Sequence, residues 1–158
     1  MPDARRSKWD ITIFLTVVLA VVLFDRLTKH FLSGFLDLNE SIAVIPNILR
    51  FTLVHNTGIA FGFFKDCGLV FIIIPVILTG LLIYNVYYYR HSPYLSRTYI
   101  VAFSLILGGA IGNLIDRIFL GYVVDFIDFR VWPVFNVADS AITIGAAIIL
   151  LRCIPAAK

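Results

Sequence analysis

The stretch ITIFLTVVLAVVLFDRLTKHF, residues 11–31, is almost entirely apolar as far as Phe24 and then carries Asp25, Arg26 and Lys29. A helix rises about 1.5 Å per residue, so a stretch of this length crosses a bilayer hydrocarbon core roughly 30 Å thick. Ionised side chains inside such a helix are costly unless they face other polar groups. The stretch therefore predicts a membrane-spanning helix with a polar site near one end.

Three more apolar stretches of similar length follow, and each predicts a further membrane-spanning helix. They cover residues 68–89, 98–120 and 137–154. Pro75 inside the second stretch is tolerated in a membrane, because neighbouring helices can cover the interrupted hydrogen bonding. The sequence therefore predicts an all-α membrane protein, a four-transmembrane-helix bundle that forms a single integral membrane domain over residues 1–158.

The composition agrees with a membrane protein and disfavours nucleic-acid binding. Hydrophobic residues make up 60% of the 158 residues and charged residues 15%, whereas a typical soluble domain has about 25% charged residues. The net charge of +3 is modest, and the sequence has no Lys/Arg-rich tract. We therefore expect no nucleic-acid partner.

The basic residues predict the orientation of the helices. Those at the ends of the chain and in the loop between the second and third helices fall on one side: Arg5, Arg6, Lys8, Arg90, Arg97, Arg152 and Lys158. Short cytoplasmic segments carry an excess of Lys and Arg. Both termini are therefore predicted to be cytoplasmic.

Two extracytoplasmic segments remain, residues 32–67 and 121–136. In the first, alternating and β-branched residues at 41–45 and 47–55 predict a small β-sheet on the membrane surface. The second segment is predicted to be a connecting loop that carries Asp125, and we expect this loop to act as a lid.

The polar residues of the first, third and fourth helices fall at one depth, near the extracytoplasmic face. They are Asp25, Arg26, Lys29, Asn113, Asp116, Arg117, Asn136 and Asp139. Ionisable residues within a membrane need a partner or a function. One polar cluster at one depth therefore indicates a site.

Simpler interpretations of these residues remain open. Arg26 and Lys29 could extend to lipid headgroups, and Asp116 could pair with Arg117 at a helix end. Asn136 could cap the fourth helix. The glycines at 108, 109 and 112 are more typical of a close-packed helix face than of a catalytic loop.

The spacing of the polar residues favours a pair of catalytic carboxylates. Asn136 and Asp139 are three residues apart and Asn113 and Arg117 are four apart, so each pair shares a helix face. With Asp125 folded over these faces, two carboxylates could share one proton, activate a water and protonate a leaving amine. The repulsion between them raises one pKa.

Other catalytic chemistries find less support. The histidines are scattered, with no His-Glu-x-x-His motif and no Cys/His cluster, which disfavours a zinc peptidase. Ser104 and Ser140 have no helix-borne histidine facing them, which disfavours a serine protease.

Five motifs occur in a characteristic order. They are DRLTK at 25–29, NTGIAF at 56–61, GGAIGNLIDR at 108–117, VVDF at 123–126 and FNVADSA at 135–141. In these motifs and in its helix lengths the chain resembles the lipoprotein signal peptidases, the signal peptidase II family of bacterial cytoplasmic membranes.

The resemblance implies a catalytic pair of Asp125 and Asp139. Other motif positions would line or support the site: Asp25, Asn56, Gly108, Asn113, Arg117, Asn136 and Ala141. The implied reaction is cleavage of a diacylglyceryl-modified prolipoprotein just before the lipid-modified cysteine of its lipobox. The resemblance implies no metal, no organic cofactor and no obligatory protein partner. It also implies contact with membrane lipid and sensitivity to globomycin-type inhibitors.

Two other classes of membrane protein remain as alternatives. A small proton-coupled carrier would use Asp25, Asp116 or Asp139 as its titrating group, and it would not need Asp125. A membrane scaffold would tolerate neutralisation of any one aspartate.

Overall fold

A computed structural model of the chain describes residues 4–58, 70–89 and 96–153. Most of these residues are helical, and a small antiparallel sheet accompanies the helices, as the sequence predicts. The helices are α1 (Ala4–Phe35), α2 (Val70–Tyr89), α3 (Arg97–Phe119) and α4 (Val137–Cys153). The strands are β1 (Ser41–Ile45), β2 (Leu49–Asn56) and β3 (Val123–Asp128).

Helix α3 lies at the centre of the bundle and packs against α1, α2 and α4. Its glycines allow this close approach. A Cβ atom on Gly108 would lie 2.8 Å from the Cβ atom of Val21 in α1, and one on Gly109 would overlap the carbonyl oxygen of Ala138 in α4. The interpretation of these glycines as a packing face is confirmed.

The distribution of polar and apolar side chains is the reverse of that in a soluble protein. The outer face of α1 presents a stripe of side chains that are each more than half exposed: Leu15, Leu19, Leu23, Leu27 and Phe31. The largest fully buried side chains are mostly polar: Lys29, Asn136, Asp25, Asp116, Asp125 and Ser104. An apolar exterior around a polar centre is what a bilayer stabilises.

Within the described ranges, two helices are long and apolar enough to cross a membrane. They are Asp10–Phe35 and Arg97–Phe119, and a shorter apolar helix covers Ile72–Tyr88. Helix α1 is longer than predicted at both ends, whereas the bounds of α2, α3 and α4 agree with the prediction to within a few residues.

The three strands form an antiparallel sheet in the order β1-β2-β3. Ile42 pairs with Phe51 in the first ladder, and Asn56 pairs with Val123 in the second. The sheet is fixed to the end of α1 by one hydrophobic cluster, which comprises Leu32, Leu36, Leu53, Val124 and Phe126. The sheet therefore lies at the C-terminal end of α1.

The prediction of a connecting loop at residues 121–136 was wrong for its central part, because residues 123–128 form β3. The first two strands were predicted correctly, although β2 begins at Leu49. Asn47 has a φ of 64° and occupies the turn between them. The run of β-branched and aromatic residues in VVDFID was the signal for β3.

Gly121 turns the chain from α3 into β3. Helix α3 is capped at Leu120, and the backbone N–H of Gly121 donates to the carbonyl oxygen of Arg117 at 3.2 Å. Gly121 has a φ of 79°, in the left-handed region that glycine adopts at little cost just after a helix. The turn brings β3 back beside the C-terminal end of α3.

The contact between α3 and α4 leads to a prediction for Gly145. Gly145→Ala would place a methyl group 2.6 Å from the carbonyl oxygen of Ala102 in α3. Overpacking of this kind destabilises proteins by roughly 1–3 kcal/mol, so the variant should unfold at a temperature several degrees below that of the wild type in detergent.

Gly80→Ala is the matched control, because no atom of the described residues lies within 4 Å of the added Cβ atom. Its unfolding temperature should be unchanged or slightly higher, since alanine favours helix formation. Equal unfolding temperatures for the two variants would contradict the close contact at Gly145.

Candidate active site

Strand β3 places Asp125 on the face of the sheet opposite the hydrophobic cluster. Successive side chains of a strand point to opposite faces, so Val124 and Phe126 pack into that cluster while Asp125 points away from it. Asp125 pairs across the ladder with Val54, two residues before Asn56. The Nδ2 atom of Asn56 donates to Oδ2 of Asp125 at 2.9 Å.

The first turn of α4 fixes the second carboxylate. Asn136 caps this helix: its Oδ1 atom accepts from the backbone N–H of Asp139 at 2.9 Å. In return, the Oδ2 atom of Asp139 accepts from the backbone N–H of Asn136 at 3.3 Å. This reciprocal arrangement follows the logic of a capping box, and it confirms the predicted capping role of Asn136.

Asn136 also joins the two predicted catalytic carboxylates. Its Nδ2 atom donates to Oδ1 of Asp125 at 2.7 Å, while its backbone and Oδ1 atoms contact Asp139. From α3, the Nδ2 atom of Asn113 donates to Oδ1 of Asp139 at 2.7 Å. The fold thus brings Asp125 and Asp139 together from different elements, with amide donors on both.

A buried group of charges lies behind this pair. The ammonium of Lys29 is 2.8 Å from Oδ2 of Asp25 and 2.8 Å from Oδ2 of Asp116. Arg26 forms a further ion pair with Asp116. Both carboxylates also accept from backbone amides, Asp25 from Ala138 and Asp116 from Val124.

One simpler interpretation of the polar residues is therefore wrong. Lys29 does not extend to the headgroups, since its side chain is only 1% exposed. Asp116 forms ion pairs with Lys29 and Arg26. Lys29 and Asp116 were not among the residues predicted to support the site. The spacing of Asp25 and Lys29, four residues apart on one helix face, was the available signal for Lys29.

The remaining predicted residues lie around the pair. Arg117 interacts electrostatically with Asp139 and Asp125. Gly108 contributes to the contact between α1 and α3. Ala141 is buried in α4, two residues after Asp139. Asn56, Asn113 and Asn136 therefore contact the pair and Arg117 interacts with it electrostatically, whereas Asp25, Gly108 and Ala141 lie in the helices that pack beside it.

The surroundings of Asp125 raise its pKa from 3.8 to about 7. Burial is the largest cause, because it disfavours the ionised carboxylate, and the charge of Asp139 acts in the same direction. Hydrogen bonds from Asn56 and Asn136 and the charge of Lys29 oppose the shift. Near neutral pH, Asp125 can therefore hold a proton beside a second carboxyl group, which is the arrangement that acid–base hydrolysis of a peptide bond needs.

Comparisons with known proteins agree with this geometry. The sequence profile described as signal peptidase (SPase) II matches residues 17–155. A lipoprotein signal peptidase of Halothermothrix orenii is 44% identical over 85% of this chain and 90% of its own length. One of Moorella thermoacetica is 41% identical over 86% and 89%, respectively.

A solved structure has the same fold. It is described as a bacterial membrane enzyme determined by the in meso method at 1.9 Å resolution. It is 34% identical in sequence, has a TM-score of 0.81 and covers 93% of this chain and 96% of its own.

The raised pKa of Asp125 predicts a pH-dependent stability. The folded protein binds this proton more tightly than the unfolded chain does, so the linked stabilisation is complete below the ordinary pKa of 3.8 and is lost as the pH rises through about 7. Asp125→Asn removes this titration. Relative to the wild type, the variant should therefore gain stability between about pH 5 and about pH 8.

The measurement is thermal unfolding of both proteins in detergent at the two pH values. The amide introduced by Asp125→Asn changes one hydrogen bond, and this change is the same at both pH values. Only the pH dependence of the difference in unfolding temperature therefore reports on the buried charge. Asp37→Asn is the control, because Asp37 is exposed after α1. A difference between wild type and Asp125→Asn that does not change with pH would contradict the raised pKa.

Proposed function

The chain belongs to the signal peptidase II family, and we propose that it removes signal peptides from prolipoproteins with Asp125 and Asp139 as its catalytic pair. It is a peptidase by family. The observation that carries the assignment of the pair is the bridge through Asn136, whose side-chain and backbone N–H groups donate to the carboxyl groups of Asp125 and Asp139, respectively. The raised pKa of Asp125 supports unequal roles for the two.

In the proposed mechanism, Asp139 is the general base and Asp125 the general acid. Asp139 takes a proton from a water molecule, whose oxygen attacks the carbonyl carbon of the scissile peptide bond. Asp125 gives its proton to the carbonyl oxygen. When the tetrahedral intermediate collapses, the C–N bond breaks, the leaving nitrogen takes the proton held by Asp139, and Asp125 recovers a proton from the hydroxyl group.

Three asparagine side chains support these roles. Asn56 and Asn136 each donate to one oxygen of Asp125, and Asn113 donates to Asp139. Donors held in advance on rigid elements reduce the reorganisation needed during the reaction. Arg117 offers a positive charge near both carboxyl groups of the pair.

The proposed substrate is a prolipoprotein with a diacylglyceryl group on its lipobox cysteine, cut just before that cysteine. Its lipid chains and apolar signal helix would enter laterally from the bilayer, where the outer faces of the helices are apolar. Globomycin-type inhibitors would occupy the same path. In this proposal the side chains of the protein perform the chemistry themselves. The proposal therefore includes no cofactor and no obligatory protein partner.

We further propose that all four helices span the bacterial cytoplasmic membrane as one domain over residues 1–158, with both termini in the cytoplasm. Helices α2 and α4 contain 20 and 17 residues, which gives lengths of about 30 Å and about 26 Å. Helices α1 and α3 lead into the sheet, and α4 begins beside it. This arrangement supports alternating helix directions and a site at the outer face.

The catalytic assignment predicts the outcome of amide substitutions. Asp125→Asn and Asp139→Asn keep the side-chain size but remove the exchangeable proton, so each should lower kcat by a factor of at least about a hundred. The measurement is cleavage of a diacylglyceryl-modified lipobox substrate by detergent-purified protein. Asp128→Asn, in the same strand as Asp125, is the control and should retain activity.

Near-normal cleavage by either folded variant would reject the pair. Absence of cleavage by the wild type under conditions in which a related peptidase is active would reject the proposed function itself.

The proposed topology predicts which positions a membrane-impermeant maleimide can reach. In a chain with Cys67 and Cys153 replaced by serine, a cysteine at Asn39 should react in intact spheroplasts. A cysteine at Ser96 should react only after the membrane is permeabilised. Labelling of both positions from the same side would contradict the arrangement of four spans.

A further inference from the structure

The ammonium group of Lys29 contacts three oxygen atoms. Its Nζ atom lies 2.8 Å from Oδ2 of Asp25 and 2.8 Å from Oδ2 of Asp116, and it donates to Oδ1 of Asn113 at 3.1 Å. An ammonium has three N–H donors and no acceptor, so each donor has an oxygen within reach. Two carboxylates already balance its charge. The third contact, to the neutral amide of Asn113, is therefore not needed to balance the charge of Lys29.

The contact with Lys29 affects the orientation of the Asn113 amide. Its oxygen accepts from Lys29 and also from Nδ2 of Asn136 at 3.0 Å, while its nitrogen donates to Asp139. If the amide were reversed, its NH₂ group would face the ammonium, and its oxygen would face the carboxylate of Asp139. Since neither an ammonium nor an amide NH₂ group can accept a hydrogen bond, Lys29 and Asn136 together determine which end of Asn113 faces Asp139.

The two carboxylates that hold Lys29 also position the backbone beside the catalytic pair. Asp25 accepts from the N–H of Ala138 at 3.0 Å, and Ala138 immediately precedes Asp139. Asp116 accepts from the N–H of Val124 at 3.2 Å, and Val124 immediately precedes Asp125. The cation on α1 is thus connected through one carboxylate to each half of the pair.

We propose that Lys29 is a positioning residue for catalysis: its buried ammonium aligns Asn113 with Asp139 and, through Asp25 and Asp116, holds the backbone on which both catalytic aspartates lie. This inference rests on the proposed function of the pair. Lys29 acts through these neighbours and does not touch the substrate.

The test compares Lys29→Met with Arg26→Met. Methionine keeps the length of the side chain and removes its charge and donors. Small misplacements of catalytic groups lower turnover strongly, so Lys29→Met should reduce kcat at least about tenfold, with a smaller change in KM. Arg26 also pairs with Asp116, but its side chain is partly exposed and its hydrogen bond goes to Asp116, whereas Lys29 also donates to Asn113. Arg26→Met should therefore cause a smaller loss.

A second readout does not depend on activity. The charged groups facing Asp125 are Lys29 on α1, Arg117 on α3 and Asp139 on α4, and β2 contributes the uncharged amide of Asn56. Loss of the positive charge of Lys29 should shift the titration of Asp125 to higher pH. ¹³C NMR of labelled aspartate carboxyl groups, assigned with Asp125→Asn, measures this shift.

A further variant separates positioning from folding. Lys29→Met leaves Asp25 without its cation, so Asp25→Asn is combined with it; the new amide oxygen can still accept from Ala138. Circular dichroism and thermal unfolding identify which variants fold. In a folded variant the loss of kcat should persist, because Asn113 still lacks the hydrogen bond from Lys29. The shifted titration should persist as well, because the positive charge of Lys29 is still absent.

Three outcomes would overturn the proposal. The first is that Lys29→Met or the double variant folds and has the kcat of Arg26→Met, and the second is an unshifted titration of Asp125. The third is that neither Lys29→Met nor the double variant folds, which would assign Lys29 to stability alone. If the wild type does not cleave the lipobox substrate, the proposed function fails instead. The titration of Asp125 in Lys29→Met then still tests the position of Lys29 beside the pair.

Discussion

The buried ion pairs of Lys29 with Asp25 and Asp116 are the interaction on which the rest of the structure depends. Removing one partner of a buried ion pair typically costs about 3–5 kcal/mol, because the remaining charge has no compensation. Here both carboxylates also accept backbone N–H groups, one from α4 and one from β3. Displacing α1 would therefore disrupt α3, the start of α4 and β3 together.

This buried polar centre is surrounded by an apolar exterior. A soluble fold of this size would place its charges outside, whereas here the fully buried side chains include Asp25, Lys29, Asp116 and Asp125. The cluster lies where α1 and α3 end and α4 begins, so it can be both shielded by the helices and close to water. Such a position suits the proposed hydrolysis of a lipid-linked peptide, since the reaction needs a water molecule and the proposed substrate would be held in the membrane.

The same contacts weigh against the alternative of a proton-coupled carrier. Asp25 and Asp116, two of its three candidate titrating groups, are occupied by ion pairs with Lys29 and by backbone amides. The third, Asp139, is bound by Asn113 and lies beside Asp125 through their common partner Asn136. Asp125, which a carrier would not need, has the environment expected of a catalytic acid.

The sequence alone determined the helices, two of the strands and the residue types of the site, because apolar length, alternation and helix spacing are local properties. The strand that carries Asp125 was missed, since it lies in a segment assigned to a loop between two helices and becomes a strand by pairing with β2, which is distant in the sequence. Only the tertiary structure decided that Lys29 turns inward and aligns Asn113. The fate of a charged side chain near a helix end depends on the acceptors that other helices bring to it, and spacing within one helix does not contain that information.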